Sequence, residues 1–258
     1  MLVLAVGKAT KLLPLLPHAR KQYVFELKLG ARTDSGDSSG RLLQSEPPPP
    51  DFPNRLPGAL QALRGRVLQT PPMHSALKVD GQPLYQRARA GTEIPRAPRA
   101  VQIYDLRTIG EAVRPESGAP ATVRLFVECD AGTYVRVLCE DIGRELHVPA
   151  HMGMLVRVAA GEFLLRDART PEQLSRDIDG ALIDPLSVLR QRRADLDEEQ
   201  ARRFMHGNEV RIDITDVPDG ELLVTHRGQL LGSGVALSRE GATFVAPVRV
   251  LATAAHSA

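Results

Sequence analysis

The run Gly132-Thr133-Tyr134-Val135-Arg136-Val137-Leu138-Cys139-Glu140-Asp141-Ile142-Gly143 constrains the fold more than any other part of the chain. The segment before it, Ala121 to Cys129, reads as a strand and leads into it through an Ala-Gly turn. Beyond the turn, apolar residues recur at Val135, Leu138, Ile142 and Leu146, the period of a helix with one buried face. Strand, turn and amphipathic helix in that order belong to a mixed α/β (α+β) arrangement. Tyr134 and Arg136 stand where strand becomes helix, a usual place to present functional groups.

Lys21 to Leu29 alternates, with Tyr23, Phe25, Leu27 and Leu29 on one side, and predicts a half-buried strand. Strands are also expected at Arg99 to Ile109 and Met152 to Ala160, and helices at Leu56 to Arg64 and Pro83 to Ala90. Thr70 to Lys78 is held extended by its prolines and leads to a turn at Asp80-Gly81. Leu2 to Val6 reads as a short buried strand, and Lys8 to Leu16 as a short amphipathic helix interrupted near Pro14. Pro171 opens a helical region reaching Leu189. The character then changes. A short helix from Glu198 to His206 stops at Gly207, and Val210 to Ile214, Leu222 to Thr225, Leu230 to Val235 and Thr243 to Val250 read as short strands separated by turns. They predict a small β-barrel. The expected division is a first domain over residues 1–190 and a β module over 195–252.

With 258 residues, 43% of them hydrophobic, the chain can bury a sizeable core. It carries 33 basic and 31 acidic residues, a net charge of +2, so a nucleic-acid partner has to be argued from local patches. Lys8, Lys11, Arg20 and Lys21 form one basic set, and Arg87, Arg89, Arg96 and Arg99 another. Either could track phosphates, or could be a solvated face balanced by nearby acids. Cys129 and Cys139 form no CxxC pair and read as reduced core thiols. His74, His147 and His151 lack metal-ligand spacing, and no apolar run is long enough for a membrane-spanning helix. The loop Thr33-Asp34-Ser35-Gly36-Asp37-Ser38-Ser39-Gly40 is acidic but lacks an EF-hand's terminal Glu; its aspartates are expected to make turns with the backbone.

Four ordered segments carry a family resemblance. They are Lys21-Gln22-Tyr23 with Leu29-Gly30-Ala31-Arg32-Thr33-Asp34-Ser35-Gly36-Asp37; Pro72 to Lys78 with Gly81, Leu84 and Tyr85; the arginine run at Gly132; and Leu155-Val156-Arg157-Val158. Together they resemble the bacterial TruB-type tRNA pseudouridine synthases. The β module is similar, more loosely, to the PUA-type RNA-binding domains that follow the catalytic domain there. The resemblance implies a pseudouridine synthase fold with a largely antiparallel sheet. It implies isomerisation of uridine 55 in the tRNA T loop, with no cofactor and no metal, by a cytoplasmic enzyme expected to be a monomer. An aspartate attacks while the target base is flipped from its stack.

The same resemblance assigns Tyr23, Tyr134 and Leu155 to the target nucleotide and pairs Arg136 with the nucleophilic aspartate. Tyr23 and Leu155 could equally be core residues, and Arg136 a surface arginine. The family's nucleophile loop has no counterpart here: Leu2 to Lys11 looks like the segment just after it. The chain as given is therefore expected to lack the nucleophile and be inactive, with Asp34, Asp37 and Asp141 unable to replace it, Arg136 left without its carboxylate, and an apolar groove open beside Leu2 to Val6. The rival reading is a non-catalytic RNA-binding or tRNA-folding protein of the same fold.

Overall fold

The computed structural model describes the chain except residues 17, 18, 76, 80, 85, 87–93, 114–119, 214–219, 240 and 252–258. Two compact units form, one of His18–Ala168 with Met1, the other of Leu2–Pro17 with Arg169–Ala258. That division falls elsewhere than the expected 1–190 and 195–252.

The strands of the first unit are β1 (Lys21–Leu29), β2 (Ala31–Thr33), β3 (Leu42–Ser45), β4 (Gly65–Gln69), β5 (Lys78–Val79), β6 (Gln82–Pro83), β7 (Arg99–Thr108), β8 (Ala121–Cys129), β9 (Ala150–Ala160) and β10 (Phe163–Leu164). Six of them make one sheet in the order β10-β9-β1-β8-β7-β4, every neighbouring pair antiparallel. The alternation foreseen in β1 is the observed one: Tyr23, Phe25, Leu27 and Leu29 are buried, the residues between them half-buried. Ala121, Val123, Leu125, Val127 and Cys129 of β8 extend that apolar face. The helix Val135–Leu146 lays Val135, Leu138, Cys139, Ile142 and Leu146 on it, and Phe52, Leu56 and Leu60 of the helix Phe52–Ala62 complete the same cluster. Gly143 sets how close the Val135–Leu146 helix comes to the chain beside it: a Cβ there would lie 2.6 Å from both the Ala150 Cβ and the Val148 carbonyl oxygen. Both cysteines are buried and free, and burial pushes the Cys129 thiol up to about 11. The other sheet face is a lattice of charges, with Arg20 on Glu128, Arg124 and Lys28 on Glu26, and Arg107 stacked 4.5 Å over the Phe126 ring.

Several short strands of this unit, β3 and β4 among them, escaped the sequence reading. All four residues of β3 are exposed, so it has no two-residue period to detect. β4 is a five-residue edge strand whose Leu68 points into solvent. The hairpin β5–β6 encloses the expected turn, of which Gly81 is described and Asp80 is not. The expected helix from Pro83 to Ala90 lies largely outside the described residues, as do Tyr85, Arg87 and Arg89.

The second unit holds β11 (Arg193–Asp195), β12 (Val210–Ile212), β13 (Glu221–His226), β14 (Gln229–Arg239) and β15 (Ala242–Val250). They form a sheet in the order β11-β13-β14-β15-β12, antiparallel except for β11 beside β13. The helix Glu198–Met205 starts in a reciprocal cap between Asp197 and Gln200 and buries Ala201 and Phe204 in this module's core. The helical region after Pro171 is three short pieces, Pro171–Arg176, Asp179–Ala181 and Pro185–Val188.

Leu2 to Val6 is not a buried strand. It has no regular structure, and Leu2, Leu4 and Val6 are 72%, 69% and 64% exposed. An apolar alternation becomes a strand only when a neighbouring strand takes up its hydrogen bonds, and none does so among the described residues. The segment behind it is a 3-10 helix, Gly7–Leu15, containing Pro14. Its Leu12 and Leu15 pack with Leu189 and Leu223, which ties this end of the chain to the second unit.

Candidate active site

The helix Val135–Leu146 begins without a side-chain cap of its own. Gln69, at the end of β4 and almost fully buried, supplies one. Its Oε1 accepts from the Tyr134 N–H at 2.9 Å and its Nε2 donates to the Tyr134 carbonyl at 3.3 Å. A buried amide satisfied on both sides holds the first turn in place, and with it the side chain at the next position but one.

That side chain is Arg136, and it is not left without a partner. Its Nη1 donates to the Ser35 carbonyl at 3.2 Å and to Asp37 Oδ2 at 3.3 Å, and its Nη2 donates to the His74 carbonyl at 2.6 Å. Without the family's nucleophile some other anion or solvent has to meet this guanidinium, and an aspartate from the β2–β3 loop is that anion. The loop itself is docked on β9, with Met152 N–H bonding the Gly36 carbonyl and Ser38 N–H the Met152 carbonyl, each at 3.0 Å.

Asp37 is saturated. Its Oδ1 accepts from Ser35 Oγ at 2.8 Å, Ser39 Oγ at 2.5 Å and Ser39 N–H at 3.1 Å, while Oδ2 takes the arginine. Burial pushes its carboxyl up, but the bonds from Ser39 and Ser35 and the Arg136 charge outweigh burial, so it titrates below the usual carboxylate range. An ionised carboxylate tied to two serines and an arginine organises the loop and the start of the helix. The sequence marks this loop as turn-forming and as part of a family motif, but not as the partner of an arginine. The Ser-Gly-Asp-Ser-Ser spacing was visible, but the arginine that completes it comes from residue 136.

Arg136 also lines a cavity of about 720 Å³ with Asp34, Arg41, His74, Glu140 and Arg144 among its walls. Burial raises the Glu140 carboxyl above its ordinary range, with the nearby arginines pulling it back. Tyr23, Tyr134 and Leu155 are not among the residues lining that cavity.

The sheet brings Tyr23 and Leu155 onto one face. In the β1–β9 register Tyr23 stands opposite Arg157 and Phe25 opposite Leu155. Tyr23 is 8% exposed and belongs to the apolar cluster that contains Val135 and Leu138 of the arginine helix. Leu155 is 42% exposed, so the face is open at its position. Arg157, which sequence reasoning named only as part of a motif, has its guanidinium 5.7 Å from the Tyr23 ring centroid. Of the basic sets, Arg20 and Lys21 lie in the first unit and Lys8 and Lys11 in the second. No described helix is long and apolar enough to cross a membrane.

Residues 1–135 match the TruB family pseudouridylate synthase N-terminal domain, 136–183 the tRNA pseudouridylate synthase B C-terminal domain, and 191–240 the methyltransferase RsmF PUA domain. Among curated relatives, tRNA pseudouridine synthase B of Ralstonia pickettii is 40% identical over 219 residues, 83% of this chain and 68% of that one. Its counterpart in Heliobacterium modesticaldum is 35% identical over 253 residues, covering 97% of this chain and 81% of that one. A crystal structure of a Cbf5-Nop10-Gar1 complex superposes with a TM-score of 0.61 at 19% identity, covering 96% of this chain and 71% of that chain, and so shares the fold. The antiparallel sheet with its arginine helix, the PUA-like module and these matches over nearly the whole length together place the chain in the TruB family of pseudouridine synthases.

Proposed function

We propose that the chain binds the T stem-loop of tRNA, the substrate whose uridine 55 the family's isomerase reaction converts to pseudouridine, with residues 195–252 binding RNA and the site residues for the target nucleotide within 1–190. Tyr23, Tyr134 and Leu155 contact the flipped nucleotide, and Arg136 holds the attacking carboxylate. The observation that carries this reading is the tethering of Arg136. Three acceptors and a doubly bonded Gln69 fix a guanidinium at the start of the helix whose Val135 and Leu138 pack in one apolar cluster with Tyr23. A guanidinium has five N–H donors, and those not used by Ser35, Asp37 and His74 remain for a further carboxylate. The reaction breaks the N1–C1′ bond and makes a C5–C1′ bond, after which the C5 proton leaves. In this reading none of Asp34, Asp37 and Asp141 is the nucleophile, and Asp37 is committed to Arg136, Ser35 and Ser39. We therefore expect this chain by itself to bind the stem-loop without turning it over.

The test is tritium release from unmodified tRNA labelled at C5 of uridine, with binding to the isolated T stem-loop measured in parallel. Binding without release is the expected result. Release at the rate of a family member that carries the aspartate would sink the claim about the nucleophile. Equal affinity for unrelated stem-loops would sink the assignment of substrate.

A further inference from the structure

Tyr23 and Arg157 are direct cross-strand partners of β1 and β9, so their side chains leave the sheet on the same side. The Arg157 guanidinium carbon lies 5.7 Å from the centre of the tyrosine ring. Its Nε is shut away from solvent and has no hydrogen-bond partner among the described residues. An arginine that served only to solvate the sheet edge would turn that donor to water; burying it unpaired is costly, and the side chain accepts that cost in a position close to the tyrosine ring. Two residues before Arg157, Leu155 is exposed on the same face, so a ligand can approach beside the pair.

The charges around Tyr23 are few. Burial pushes its phenol above the ordinary range, Arg157 pulls it back by charge and by hydrogen bonding, and the Cys129 thiol of β8 adds to the rise. Lys21, two residues earlier on β1, has its own ammonium disfavoured by burial and by Arg157. From the helix, apolar Val135 and Leu138 share the tyrosine's cluster. Arg157 is therefore the cation that acts most directly on the Tyr23 hydroxyl.

We propose that Arg157 is a positioning residue for Tyr23: it pins the ring next to the part of the sheet face that is open at Leu155 and readies the hydroxyl for a base laid beside it. This rests on Tyr23 facing the substrate, and it adds a residue to that site.

The experiment uses the full chain carrying 3-fluorotyrosine, whose phenol ionises at lower pH than tyrosine's, followed by ¹⁹F NMR. Tyr23→Phe assigns one of the four tyrosine signals. In Arg157→Met the Tyr23 midpoint should move to higher pH while those of Tyr104 and Tyr134 stay in place. Arg157→Lys should bring it back toward the wild-type value. An unchanged Tyr23 midpoint in a folded Arg157→Met protein overturns the proposal, and Arg157→Gln gives the same comparison should the methionine variant not fold. Adding the T stem-loop should then shift the Tyr23 signal of the wild type. A complex that forms and leaves that signal unmoved overturns the substrate-facing half of the proposal. The titration needs no RNA, so a midpoint that responds to Arg157 in a protein that binds no stem-loop supports the contact while removing the function argued above.

Discussion

At Asp37 a single carboxylate joins a loop to a helix. Ser35 and Ser39 bond one oxygen and Arg136 the other. Because its pKa is depressed in the folded state, its contribution to stability is full above the ordinary carboxylate value and is lost as pH falls through the depressed one. Asp37→Asn keeps the shape and removes the charge. It should cost about 1–3 kcal/mol at neutral pH and flatten the acid limb of the stability curve, as urea unfolding at several pH values would reveal. An acid limb as steep as the wild type's would count against Asp37 as its source. Glu140 has the opposite sign. Its carboxyl is raised mainly by burial, so its contribution is present at low pH and is lost as pH rises through the raised value. Glu140→Gln should leave the acid side unchanged and raise the unfolding midpoint at neutral pH.

Among the elements, the helix Val135–Leu146 is the one on which the site depends, and its fit to the sheet is tight at one point. Adding a methyl at Gly143 forces it into the Ala150 Cβ and the Val148 carbonyl oxygen. Gly143→Ala should cost about 1–3 kcal/mol by overpacking, in a thermal melt, although alanine is the better helix former. A neutral or stabilising outcome would mean the helix can retreat from β9, and Arg136 would not be fixed as described. Much of this element was legible beforehand. Its apolar period at Val135, Leu138, Ile142 and Leu146 specifies the buried stripe without knowledge of the partner, because a helical face depends only on residue spacing. What caps it was not legible, since Gln69 lies 65 residues away and a lone glutamine at a strand end carries no local signal.

For the molecule as a whole, each compact unit carries its own apolar clusters. Leu12 and Leu15 serve the second unit although they stand near the start of the sequence. Leu12→Ala or Leu15→Ala should cost that unit about 2–5 kcal/mol and leave the first unit's protection unaltered, which amide hydrogen exchange resolves unit by unit. Lost protection in β1 and β8 would contradict the division.

The inward face of β1, the long strands β7 and β8, the arginine helix and the late change to a β module follow from the sequence by itself. Each depends on spacing within about a dozen residues, where covalent geometry fixes which side chains share a face. Ordered motifs added the family. The tertiary structure alone decided that Leu2 to Val6 forms no strand, that Asp37 meets Arg136, and that Arg157 lies beside Tyr23. Pairing, docking and the partner of a charge depend on residues that can be a hundred positions apart, and their contact energies exist only once the chain has closed on itself.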